Sequence, residues 1–138
     1  MSFIIYSQSE NKLAVLIPTG EIPIEQVAAK DVPVGVEYKI VQSVDIDNEY
    51  FNAYEFDAEA GSKLNIEKAK AIHLDKFRSA RAPKLAKLDI DFMRAVEAND
   101  EVKKAEIIAA KQALRDVTLT PLPDDLAGIK ATWPDIIL

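Results

Sequence analysis

The 138-residue chain has no cysteine, one histidine, one tryptophan and four glycines. Without cysteine there is no disulfide, no thiolate nucleophile and no cysteine metal site. His73 is the only imidazole, so no histidine pair is available to a metal. The glycines Gly20, Gly35, Gly61 and Gly128 lie too far apart to form a phosphate-cradling loop, and no serine sits in a G-x-S-x-G elbow. No stretch approaches the roughly 18 consecutive apolar residues a membrane span needs. The apolar start Phe3-Ile4-Ile5-Tyr6 is short and runs into Ser7-Gln8-Ser9-Glu10, which lacks the pattern of a secretory leader. The expectation is a soluble, unexported protein without membrane contact. Cationic residues are also scarce in the first half. Residues 1–62 carry three lysines against eleven acids, a net of −8, which repels phosphate and anionic lipid.

The composition itself is that of a globular protein, with 49% hydrophobic and 29% charged residues and a net charge of −6. The length fits one domain, or one small domain with an appendage. Phe3–Ser7 and Leu13–Ile17 are β-type runs joined by the polar segment 8–12, a hairpin. Pro23 suits the first turn of a short helix from Ile24 to Ala29, since its missing N–H has no partner there. Val36 to Val41 alternates like a half-buried strand, with Val36, Tyr38 and Ile40 on one side. Phe51 to Phe56 reads as a fourth strand or an ordered aromatic loop.

Ser62 to Asn65 supplies capping candidates, and a long helical pattern follows. Ile66, Ala69, His73, Phe77 and Ala80 share one face, continued by Leu85, Leu88, Phe92 and Ala95. Pro83 predicts a kink near Ser79–Pro83, or a break that places proline in the first turn of a new helix. Asn99 closes this helix and Asp100 caps the next, in which Val102, Ala105, Ala109, Ala113 and the neighbouring Ile108 form a second apolar stripe to Leu114. So short a link makes the two helices an antiparallel αα-hairpin. Thr120-Pro121-Leu122-Pro123, a short helical turn over 124–130 and Trp133-Pro134 make a proline-rich tail. The fold class expected is therefore α+β. It comprises a small N-terminal antiparallel β unit with one short helix (1–62), a long helical hairpin (63–117) and the tail (118–138). The alanine-rich stripes bury little area, so the hairpin should lean on the N-terminal unit or on another copy of the chain.

No catalytic constellation, cofactor site or metal site emerges, and the protein is expected not to be an enzyme. Asp45-Ile46-Asp47-Asn48-Glu49 resembles a calcium loop only until its sixth position, Tyr50, and its twelfth, Phe56, where glycine and glutamate are required. Asp89 and Asp91 point to nearly opposite sides of a helix and do not form an acid/base pair. Arg78, Arg81, Lys84 and Lys87 belong to a segment, 63–94, with nine basic and four acidic groups. A three-residue spacing spreads these four over half the helix circumference, which favours a solvated face over a stripe tracking phosphates. Nucleic acid is therefore a less favoured partner than the acidic half of the same or another chain. Trp133-Pro134-Asp135-Ile136-Ile137-Leu138 either docks on its own domain or inserts into a partner.

Several strings taken together resemble one family. Lys30-Asp31-Val32-Pro33-Val34-Gly35 with Tyr38-Lys39-Ile40-Val41 is similar to the KDVP-x-G-x-x-YKIV segment of small bacteriophage proteins encoded among tail and tail-fibre genes. The segments 78–89 and Phe92-Met93-Arg94-Ala95 resemble their helical half. Gln112-Ala113-Leu114-Arg115-Asp116, then prolines and Trp133-Pro134, is similar to the C-terminal pattern of tail-fibre assembly proteins. The resemblance implies a non-enzymatic phage tail or tail-fibre accessory, either a virion component or an assembly chaperone. It would act on a tail or tail-fibre protein in the host cytoplasm or in the virion, with homo-oligomerisation an open alternative. The expected partner-facing residues are Arg78, Arg81 and Lys84 on the helix and Trp133, Ile136, Ile137 and Leu138 in the tail. The alternative reading is a regulatory binder of a host protein or nucleic acid.

Overall fold

A computed structural model describes residues 1–138, and the fold is α+β. The chain divides into two compact units, Met1–Ala69 and Lys70–Leu138.

The first unit opens with the expected hairpin. Strands β1 (Phe3–Ser7) and β2 (Leu13–Leu16) pair antiparallel, Ile5 opposite Val15. The connection is a 3₁₀ turn, Ser9–Asn11, in which Glu10 and Asn11 take positive φ. Helix α1 (Ile24–Asp31) starts just after Pro23, which stands at the N-cap position without a side-chain bond and not inside the first turn, and β3 (Tyr38–Val41) pairs with the other edge of β1, Ile4 opposite Ile40. The sheet order is β2-β1-β3. Period-two alternation puts Ile4, Tyr6 and Ala14 on one face, where they pack with Val27 and Ala28 of α1 and with Val32. Val36 and Ile40 join this cluster, as their spacing predicts, whereas Tyr38 is exposed.

The segment read as strand or aromatic loop holds both. A 3₁₀ turn, Asn48–Ala53, buries Tyr50 and Ala53, and β4 (Tyr54–Asp57) follows. Strand β4 pairs with β5 (Gly61–Leu64), a strand that the capping reading of Ser62–Asn65 overlooks. Gly61 shows why this turn needs glycine. Its φ is +90°, and a Cβ there would lie 2.8 Å from Ile5 Cδ1, on the sheet face opposite to that of Ile4 and Tyr6. Asp57 Oδ1 accepts from the N–H groups of Glu59 (2.8 Å) and Ala60 (3.0 Å), which closes the turn and holds the Asp57 carboxyl below its ordinary pKa.

Helix α2 (Ile66–Glu97) begins in the first unit and continues through the second. Asn65 starts it with both ends of its amide. Oδ1 accepts from Lys68 N–H (3.2 Å), while Nδ2 donates to Glu55 Oε1 (2.9 Å). The bond from Asn65, then the Lys68 ammonium at 2.9 Å, lower the Glu55 pKa. Helical backbone runs on through Pro83, so of the two expected outcomes, kink or break, the break does not occur. Pro83 and Ser79 are both exposed, and the Ser79 carbonyl left without a donor is on the solvent side.

Asn99 (φ 53°) ends α2, and Asp100 accepts from Lys103 N–H at 2.9 Å to cap α3 (Glu101–Arg115). The α2 stripe is as expected, with Ala69, His73, Phe77 and Ala95 buried. The α3 stripe is as expected only at its end, Leu114. Ile107 and Leu114 are buried, while Val102 is 72% exposed, Ile108 56%, and Ala105, Ala109 and Ala113 are all exposed. Two large side chains seven residues apart remove more apolar surface than a row of alanines, so they set the helix rotation. Lys104 and Lys111 flank them, their stems half-buried and their ammonium groups on Glu101 (2.8 Å) and Asp89 (2.5 Å). A 3₁₀ turn (Asp116–Leu119), α4 (Leu126–Ala131) and a final 3₁₀ turn (Asp135–Ile137) complete the chain. In α4, a Cβ on Gly128 would lie 2.6 Å from Pro123, so the proline segment packs directly on its backbone.

Candidate partner-binding surfaces

The second unit is organised by one aromatic knot. His73 is fully buried, with Phe77 and Trp133 edge-on to it at centroid distances of 4.8 and 5.0 Å and 5.2 Å from each other. His73 Nε2 donates to the Thr132 carbonyl at 2.7 Å, which fixes the proton on that nitrogen because a carbonyl only accepts. Phe77, Leu114, Val117 and Ile137 form the buried cluster around it. Histidine, helix and tail thus interlock, and the imidazole serves packing.

The tail residues singled out from the sequence divide accordingly. Trp133 and Ile137 are spent on the chain's own core, in the docked arrangement, and are not free anchors. Ile136 (41%) and Leu138 (75%) remain outward. The cations divide too. Arg81 Nη1 donates to the Arg115 carbonyl (2.8 Å) and more weakly to that of Leu114 (3.4 Å), neutralising the C-terminal end of α3. Arg78 is bound to Asp75 at 2.5 Å. Lys84 and Lys87 make no ion pair and are exposed. Of the basic run, only these two lysines present unengaged charge.

What the sequence pattern conceals is the apolar surface of the helices. Val102 and Ile108 on α3, with Ile90 (56%) and Met93 (60%) on the distal half of α2, face solvent. Val102 and Ile108 belong to the stripe expected on α3, whereas Ile90 and Met93 fall outside the α2 stripe and carry no expected role. Groups large enough to anchor a partner therefore lie on the helices.

The first unit carries clefts. One of about 360 Å³ is lined by Val15, Ile17, Val44, Ile46, Asn48 and Phe51. A neighbouring one of about 320 Å³ shares Ile17. Asp45 and Asp47 alternate with the lining residues Val44, Ile46 and Asn48. No three His, Asp or Glu side chains are grouped so as to hold a metal ion, and the calcium-like loop is instead an ordered entry to the Asn48–Ala53 turn, Asp47 Oδ1 accepting from Glu49 N–H at 3.1 Å. No helix is long and apolar enough to cross a membrane.

No protein-family model, curated protein or solved structure matches the chain.

Proposed function

We propose that this protein is a non-enzymatic bacteriophage tail or tail-fibre accessory, a virion component or a fibre-assembly chaperone, that works through protein–protein contacts. The observation that carries a binding role is the outward apolar set on α2 and α3. Four large side chains in water on two packed helices cost solubility unless another surface covers them. The phage context rests on the likeness of residues 30–41, 78–95 and 112–134 to small tail and tail-fibre gene products. The partner would be a tail or tail-fibre protein, met in the host cytoplasm during assembly. The competing reading, a regulator of a host protein or nucleic acid, draws on the basic run. With Arg78 and Arg81 already engaged, two free lysines give a shallow phosphate footprint.

Purified virions probed with an antibody to this chain separate the two versions. Presence in stoichiometric amount marks a component; absence, with copurification of a fibre protein from infected cells, marks a helper. Copurification with no tail protein at all contradicts the proposal.

A further inference from the structure

Strand β3 ends its sheet with backbone groups that find no partner in the chain. Gln8 N–H donates to the Lys12 carbonyl at 2.7 Å, which makes that pair a hydrogen-bonded one. Hydrogen-bonded pairs alternate along antiparallel strands, so Tyr6 and Ile4 also spend their backbone groups on β2. Ile5 and Phe3 then turn theirs to β3, where they meet Lys39 and Val41. The N–H and C=O groups of Tyr38 and Ile40 consequently point away from β1, and no strand lies beyond them. Val36 and Ile40 both pack on the α1 side, so the two-residue alternation reaches back to Val36 and puts Glu37 on the face of Lys39. The side chains at this edge are open as well. Glu37 is exposed without a bonded partner, and Tyr38 is 44% exposed. Lys39 donates to the Glu59 carbonyl, a neutral acceptor, and makes no ion pair, so its ammonium keeps donors to spare. Its charge is the weakest of those acting on Asp57.

We propose that the outer edge of β3 pairs antiparallel with β3 of a second copy of this chain across a two-fold axis, Tyr38 opposite Tyr38. Each Tyr38 exchanges both backbone bonds with the other. Each Ile40 N–H donates to the Val36 carbonyl of the other copy, while the Val36 N–H stays on the Pro33 carbonyl at 3.2 Å. Charge complementarity selects both register and occupant. With Tyr38 at the axis, Glu37 of each copy lies directly opposite Lys39 of the other, in the close, non-hydrogen-bonded positions where cross-strand pairs act most strongly. Sliding the second copy by two residues sets Lys39 against Lys39 in one direction and Glu37 against Glu37 in the other. A lysine on a strand edge ordinarily guards it against pairing. Here Glu37 answers it, and only in this register. Any other extended segment has to bring a base to Glu37 and an acid to Lys39, and the edge itself already carries both in that order. The contact is isologous, so it joins two sheets and stops at the dimer. One short strand a side makes it weak and salt-sensitive. It does not depend on the phage reading, and its test uses the full chain alone.

The test is sedimentation equilibrium of the full chain at low salt, comparing wild type with Glu37→Lys and Lys39→Glu, each checked for folding by circular dichroism. Wild type is expected to form a dimer that grows no further, and about 500 mM NaCl should weaken it at least about fivefold. Each single variant sets like charges opposite one another at both contacts and should stay monomeric where wild type dimerises. An equimolar mixture of the two should form a heterodimer, because each copy then offers the sign the other needs. The double variant Glu37→Lys/Lys39→Glu exchanges the charges and should dimerise again. Amide exchange locates the contact. The Tyr38 and Ile40 amides should slow at least about threefold between about 20 µM and about 1 mM wild type, with little change at Lys39 and Val41, already bonded to β1. Wild type that stays monomeric to about 1 mM, assembly beyond the dimer, single variants that dimerise like wild type, a mixture that stays monomeric, or a dimer that leaves the Tyr38 and Ile40 amides unprotected would each overturn the proposal.

Discussion

Each unit is stabilised internally, and by different means. In the first, three strands and a helix share a non-local core in which Ile4, Tyr6, Ala14, Val27 and Ala28 each contact residues distant in sequence, and the Gly61 turn lies against Ile5 on the other face. In the second, a 32-residue helix and a 15-residue helix are thin along their length and are pinned near one end by His73, Phe77 and Trp133. The contrast teaches that the exposed apolar groups of the two units lie in different settings. The first unit buries Ile4, Ile5 and Tyr6 across both sheet faces and exposes Ile17 and Val34 outside the sheet strands. The second leaves Ile90, Met93, Val102 and Ile108 outside while one knot supports the rest.

That contrast is most easily broken at the knot. Phe77→Ala removes a fully buried ring that touches both His73 and Trp133, and should destabilise the second unit by about 3–5 kcal/mol, read by denaturant unfolding. The first unit should retain its β-type circular dichroism in the same variant. A smaller effect is expected where α2 begins. Asn65→Ala removes the cap on Lys68 N–H and the donor to Glu55, and should cost about 1–2 kcal/mol.

Acid sharpens the comparison further. The carboxyls of Glu55 and Asp57 both titrate lower in the folded protein than their ordinary values of 4.5 and 3.8. A depressed carboxylate contributes stability that is complete above its unfolded pKa and is lost as pH falls through the lower folded value. Both groups lie on β4, so amide protection factors in the β4–β5 hairpin, corrected for the intrinsic pH dependence of exchange, should fall between pH 5 and pH 3 ahead of those in α3. An equal fall in both places would show that the hairpin has no such local dependence.

Much of the fold was legible because simple periods governed it. Ile4, Ile40 and Val36 obey the two-residue alternation, and His73, Phe77 and Ala95 obey the helical one. The misreadings have specific physical causes. Gly61-Ser62-Lys63-Leu64 has one large apolar residue, and its pairing with Tyr54–Asp57 is dictated by the aromatic partner strand, so β5 carries no pattern of its own. In α3 two apolar sets compete. Val102 and the alanines are more numerous, but Ile107, outside the expected stripe, and Leu114, at its end, bury more per residue and extend to Val117, so the helix turns that side inward. Trp133 left two outcomes open because a tail tryptophan serves equally as core or anchor until its neighbour, the buried His73, is placed beside it. Of the expected partner-facing residues, Lys84, Ile136 and Leu138 remain outward, while Arg78, Arg81, Trp133 and Ile137 are engaged within the chain.

The smallest stability effect and the most direct test coincide on the outer face of α3. Val102→Glu with Ile108→Glu touches no buried group and should change unfolding free energy by less than about 0.5 kcal/mol. Copurification of a tail or tail-fibre protein from infected cells should be lost in this double variant and retained by wild type at equal expression. Undiminished copurification by the double variant would contradict a working role for the outward apolar helix surface.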